Sequence, residues 1–208
     1  MKDILLFGVQ GSGKGTQAKL LAKKYGYTIF ETGAELRLLS QTNSPLGEKI
    51  HSIISKGLLV DAHLVMDIVE DFLQRTPLIQ PILFDGIPRN TEQKEAFDAL
   101  MEKYHKEVQG IHITLSKEEA LDRILGRFIC KGVKDQPISL TEEECIAQGG
   151  EVIKRQDDTD SEAIKKRIEL FFKETLPIIS QYEKEGKIVS VNGNQTIERV
   201  FEDISQAL

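Results

Sequence analysis

Several things are scarce in this chain of 208 residues, and each scarcity excludes something. Only two cysteines are present, Cys130 and Cys145, too few for a disulfide framework. No apolar run approaches the roughly 18 residues that a membrane-spanning helix needs. Ile4-Leu5-Leu6-Phe7 is too short for the apolar core of a secretion signal and runs straight into glycines. Positive charge is in deficit: 27 Lys and Arg face 33 Asp and Glu, a net charge of −6. That balance argues against nucleic acid or an anionic membrane as the partner. Internal repeats and low-complexity tracts are also missing. What remains, 40% hydrophobic and 29% charged residues, suits one soluble globular domain in the cytoplasm, expected as a monomer.

Apolar runs alternate with helical patterns. Strands are expected at Met1–Phe7, Thr28–Phe30, Pro81–Phe84, Gly110–Leu115 and Ile188–Val191. Helices are expected between them, including Thr16–Lys24, Thr91–Lys103, one long helix Ser161–Lys184 and a last one at Thr196–Leu208. Ser116 and Glu119 have the spacing of a capping box at the start of another. Strands alternating with helices imply β-α units and a parallel α/β sheet. Phe128–Asp160 shows no helical period and carries Gly132, Pro137, Gly149 and Gly150. It is too long for an ordinary loop and reads as a small inserted subdomain.

The strongest chemical signal is Gly8-Val9-Gln10-Gly11-Ser12-Gly13-Lys14-Gly15-Thr16, between an apolar strand and a helix. Glycines let backbone N–H groups approach phosphate oxygens, and the helix N-terminus adds a positive dipole end. Lys14 supplies a point charge to the β- and γ-phosphates of a nucleoside triphosphate. Pro81–Asp85 is an apolar strand ending in a carboxylate, the arrangement that holds Mg²⁺ beside such a loop.

Arginine is rarer than lysine here, 8 against 19. Its planar fork meets two phosphate oxygens at once, which lysine cannot copy. Arg123, Arg127 and Arg155 flank the insertion, and Arg89 follows the turn Asp85-Gly86-Ile87-Pro88. Arg123 and Arg127, four residues apart, share a helix face. Arg75 and Arg199 read as surface residues.

These segments together resemble the adenylate kinase family over essentially the whole chain. The resemblance rests on Gly11–Thr16, Thr32-Gly33 with Leu36-Arg37, Gly57 with Leu59-Val60, Asp85–Arg89 with Gln93, Asp122–Arg127, Arg155 with Asp157-Asp158, and Arg167. It implies a five-stranded parallel sheet flanked by helices, with an AMP-binding insertion at residues 32–61 and a lid at 127–160. It also implies reversible transfer of the ATP γ-phosphoryl group to AMP, giving two ADP. Gly11, Ser12, Gly13, Lys14, Gly15 and Thr16 would wrap the ATP phosphates, Arg123 and Arg127 would meet ATP, and Gln195 would offer a backbone contact near its adenine. Thr32, Arg37, Leu58, Leu59, Val60, Gly86, Ile87, Pro88, Arg89 and Gln93 would hold AMP. Arg155 and Arg167 would reach both nucleotides, and Asp85 would position Mg²⁺ through water. Lys14, Arg89, Arg127, Arg155 and Arg167 are the expected catalytic residues.

Two departures from the family pattern carry expectations of their own. Ala34 stands where the family usually has Asp. It supports one rival, a nucleotide-binding module without catalysis, which Lys14, Asp85, Arg89 and Arg127 oppose; the other rival, a kinase for another nucleoside monophosphate, is opposed by Thr32 and Gln93. Many family members hold the lid with zinc through two Cys-x-x-Cys pairs. Here Cys130 and Cys145 take the first positions, while Val133 and Gln148 take the second. Structural zinc wants four N or S ligands, so no zinc is expected. The cysteines are expected to face each other as reduced apolar groups. Phe128, Ile129, Val133, Ile138, Leu140 and Val152 would then pack the lid.

Overall fold

Apolar residues on both faces of each central strand dictate a sheet covered on two sides. In β1 (Asp3–Phe7), Leu5 and Phe7 join the core on one face while Ile4 and Leu6 join the core on the other. β3 (Ile82–Asp85) repeats this, with Ile82 and Phe84 on the first face and Leu83 on the second. With β2 (Thr28–Glu31), β4 (Val108–Thr114) and β7 (Ile188–Asn192) they form one sheet in the order β2-β3-β1-β4-β7. Every pairing in it is parallel, as expected for β-α units. All five carboxyl ends therefore lie along one edge. A computed structural model describes residues 1–133, 141–154 and 160–208.

The connecting helices are α1 (Lys14–Tyr25), α2 (Thr32–Ser40), α3 (Pro45–Ile54), α4 (Ala62–Arg75), α5 (Thr91–Lys103) and α6 (Lys117–Leu125). Local chemistry sets their starts. Ser44, Asp61 and Asn90 each accept a backbone N–H of the first turn, and Ser116 with Glu119 forms the expected capping box.

The segment expected as one long helix is divided. α8 (Ser161–Leu170) passes through a π-helical turn, Phe171–Thr175, into α9 (Leu176–Lys184). Pro177 explains it: the ring has no N–H and crowds the carbonyl four residues back, so the preceding turn widens. The chain ends in α10 (Ile197–Ala207).

The insertion after α6 holds a two-stranded antiparallel ribbon, β5 (Ile129–Lys131) with β6 (Glu151–Ile153), and a short helix α7 (Glu142–Ala147). The sequence pattern missed α7, whose six residues are too few to establish a period. Its start is nonetheless encoded by a second capping box, Thr141 with Glu144, and by three consecutive glutamates in the first turn.

The expectation for the cysteines is corrected. Cys130 and Cys145 are joined in a disulfide, with Cα atoms 5.7 Å apart. Cys130 is the inward residue of β5, and α7 turns the fully buried Cys145 toward it. Gly150 closes the space, since a Cβ there would lie 2.6 Å from one sulfur and 2.8 Å from the other. The expected packing is also altered: Ile129 is 43% exposed and faces the cleft, while Ile138 and Leu140 lie outside the described residues.

Candidate active site

A cleft of about 840 Å³ opens along the carboxyl edge of the sheet. This is where parallel α/β sheets bind ligands, because loops diverge there and helix N-termini point inward. The glycine-rich loop after β1 leads into α1, which begins at Lys14. The Lys14 ammonium donates back to the carbonyls of Gly8 at 2.7 Å and Val9 at 3.3 Å. Burial pushes its pKa down, with Asp85 opposing that shift and Arg89 and Arg127 adding to it. The ammonium is thus held at the loop by contacts that phosphate oxygens can replace.

β3 ends at Asp85, only 8% exposed. The chain then turns through Gly86 and a cis Ile87-Pro88 peptide to Arg89. Arg89 is held at three points. Its Nε donates to the Gly86 carbonyl at 2.7 Å, and its backbone N–H donates to Gln93 Oε1 at 2.8 Å. Its carbonyl accepts from Thr175 Oγ1 at 2.9 Å. Burial lowers the pKa of the guanidinium; Asp85 opposes this, and Arg167 and Arg37 reinforce it. Three guanidiniums therefore share one field.

Most of the expected residues line this one cleft. From the loop come Gly11, Gly13, Lys14, Gly15 and Thr16; from α2 and the segment after α3 come Thr32, Arg37, Leu58, Leu59 and Val60. Asp85, Gly86, Pro88, Arg89, Gln93, Arg123, Arg127 and Arg167 complete the set. Ser12 and Ile87 are buried beneath it rather than lining it. Gln195 sits in the loop after β7, where its amide donates to Asn192 O and Asp203, and it does not line the cleft. Arg123 reaches that loop, donating to Gly193 O at 3.1 Å. Arg155 lies outside the described residues.

Gly57 brings the segment after α3 against α8. Its φ of +69° is in the left-handed region, and a Cβ there would stand 2.5 Å from Ala163 O and 3.1 Å from Arg167 Cγ. Glycine is what lets the segment carrying Leu58–Val60 touch the helix that carries Arg167.

Among the cleft residues that the sequence reading did not name are Thr175 and Glu31. Thr175 is buried in the π-helical turn and buttresses Arg89 from 86 positions away; no local signal could have found it. Glu31, at the end of β2, lines the cleft and accepts from Arg37 Nη2 at 2.8 Å. Its signal was present: a carboxylate three residues before Ala34.

The family model for adenylate kinase matches residues 6–187. The chain belongs to the adenylate kinase family. It is 37% identical to an adenylate kinase of Caldanaerobacter subterraneus subsp. tengcongensis over 212 aligned residues, spanning 99% of this chain and 95% of the relative. Against an adenylate kinase of Clostridium botulinum the identity is 34%, with 99% and 98% covered. Against one of Bacillus velezensis it is 33%, with 99% and 97% covered. As an adenylate kinase, this chain interconverts ATP and AMP with two molecules of ADP. The family's parallel sheet and phosphate loop are both present.

Proposed function

We propose that the cleft carries out this reaction with Lys14, Arg123 and Arg127 on the ATP side and Arg37, Arg89 and Gln93 on the AMP side. Arg167 lies between the two sides. The observation that supports this division is the convergence of these cations on one edge of the sheet, the phosphate loop on one flank and α2 with the segment after α3 on the other. Arg155 keeps the role that the resemblance implies for it, bridging both nucleotides.

Phosphoryl transfer leaves little covalent work to the protein, so positioning and charge stabilisation carry the rate. The acceptor is already a phosphate anion, so no general base is needed. Holding donor and acceptor in line is worth roughly 7–11 kcal/mol of the barrier. A guanidinium fixed by a backbone carbonyl, as that of Arg89 is by Gly86 O, meets developing charge without reorganising, and Gln93 Oε1 holds the Arg89 backbone N–H. Gln93 thereby has a second duty, since its carbonyl oxygen both holds the Arg89 backbone and belongs to the AMP side. The unit of β5, α7 and β6, rooted at Arg127, is the lid that excludes water from the transferring group.

The donor set fits Mg²⁺. Asp85 is a hard oxygen ligand in a cationic cleft, beside a loop shaped for phosphate oxygens and the Thr16 hydroxyl. Mg²⁺ there would neutralise phosphate charge, with Asp85 holding it through water. Zinc has no part in this proposal, because neither cysteine of the Cys130–Cys145 disulfide is a thiolate.

A coupled assay offering ATP with AMP, CMP, UMP or GMP tests the reading. Turnover with AMP well above the other three is expected. Preference for another acceptor would reassign the acceptor side.

A further inference from the structure

Glu31 occupies the N-cap position of α2, with extended backbone (φ −109°, ψ 103°), yet its carboxylate caps no helical N–H. It accepts from Arg37 instead, and the pair passes over Gly33, where a Cβ would stand 3.0 Å from Arg37 Nη1 and 3.6 Å from Glu31 Oε1. In the sheet register Glu31 is the direct neighbour of Asp85, so two carboxylates end adjacent strands at the mouth of the cleft.

The cations facing them are crowded. Arg37 and Arg167 both lie within electrostatic reach of Arg89, and each acts against its charge, while Asp85 and Glu31 act in its favour. Like charges brought together repel, and a flexible guanidinium escapes toward water unless something holds it. The Arg37 side chain is 27% exposed, so that escape is open to it. A charge-assisted hydrogen bond of 2.8 Å to Glu31 restrains it. The N-cap and N3 residues of a helix are spatial neighbours. N3 of α2 is Ala34, whose methyl group leaves this corner to the longer Glu31 side chain.

We propose that Glu31 is a positioning residue for the acceptor: it holds Arg37 beside Arg89 so that an incoming nucleoside monophosphate meets preassembled guanidiniums. Preorganisation of this kind raises affinity by removing the cost of assembling the site at binding. The inference rests on the assignment of Arg37 and Arg89 to the AMP side.

The test is calorimetric binding of AMP alone and of ATP alone, without Mg²⁺, to wild type and four variants: Arg37→Ala, Glu31→Ala, Glu31→Gln and Glu31→Ala/Ala34→Asp. Glu31→Ala is expected to raise the Kd for AMP about five- to twenty-fold while the Kd for ATP stays within about twofold. Glu31→Gln, which keeps an acceptor but not the charge, falls between. A carboxylate restored at N3 in the double variant recovers most of the lost affinity. Unchanged ATP binding separates this effect from misfolding. If Glu31→Ala binds AMP as well as wild type or better, while Arg37→Ala binds it poorly, Glu31 is a spectator or a competitor and the proposal fails. If Arg37→Ala itself binds AMP normally, the assignment of the acceptor side fails instead.

Discussion

Arg89 is a surface-type residue placed in the interior of a cleft, and each of its contacts restricts where its charge can go. Gly86 O takes the Nε proton, Gln93 takes the backbone N–H, and Thr175 supports the carbonyl. Removing the guanidinium leaves that scaffold intact but takes away the donor that the proposed mechanism aims at developing charge. Losses of this type cost about 3–4 kcal/mol in the transition state. Arg89→Ala should therefore lower kcat by two to three orders of magnitude and raise KM for AMP more than KM for ATP, as read from steady-state rates with each substrate varied. Near-normal turnover would remove Arg89 from the reaction.

Helices and loops meet in this fold at places with no spare volume, and Gly57 is the clearest. It both adopts a left-handed conformation and sits against the α8 backbone. Gly57→Ala should cost about 1–3 kcal/mol through the conformation alone, plus whatever displacement of Ala163 O the new methyl forces. A lowered thermal midpoint and weaker AMP binding are expected together, because the same shift carries Arg167. A variant with wild-type stability would mean that the segment and α8 are loosely packed. The insertion after α6 is held differently. Its ribbon and short helix are small, and the Cys130–Cys145 bridge closes a loop across 15 positions. A cross-link of that length contributes about 3 kcal/mol by restricting the unfolded chain. Thiol titration of the unfolded, unreduced protein should find almost no free thiol. Reduction, or Cys130→Ser/Cys145→Ser, should speed proteolysis within residues 128–160 and lower the thermal unfolding midpoint. Two free thiols in the untreated protein would restore the reduced pair.

Across the molecule, the sheet is fastened by buried ions as well as by apolar packing. Asp3 on β1 accepts the Ile82 N–H of β3 at 2.8 Å and pairs with Lys106 at 3.1 Å. Both side chains are buried, at 4% and 8% exposure. Burial raises the Asp3 pKa, against the opposing pull of the Ile82 N–H and Lys106. Asp3→Ala would leave the buried Lys106 ammonium the carbonyls of Leu78 and Gln80 but no carboxylate, and the Ile82 N–H without its acceptor. Breaking such a pair from one side costs about 3–5 kcal/mol, which urea unfolding would show as a large fall in midpoint. A change below about 1 kcal/mol would mean that the pair behaves as a surface bridge. Lys94 of α5 lies over the Tyr182 ring and meets Asp98 and Glu185, tying α9 to α5.

Much of this architecture was legible in the residues alone, and the reason is local. Alternate apolar residues reach both faces of a strand wherever it lies, glycines before a lysine form a phosphate loop because backbone donors need room, and Ser116 with Glu119 caps a helix within one turn. Such features depend on neighbours a few positions away. The resemblance also named residues most of which line one cleft. Tertiary structure alone decided the rest. Thr175 supports Arg89 across 86 positions, the proline-driven π-helical turn aims it there, and Cys145 meets Cys130 only after a short helix has turned back on a ribbon. Glu31 stood in plain view beside Thr32, but its partner depends on how α2 leaves β2. Periodicity records which face of an element is apolar; which distant side chain that face will meet is set by the packing of whole elements.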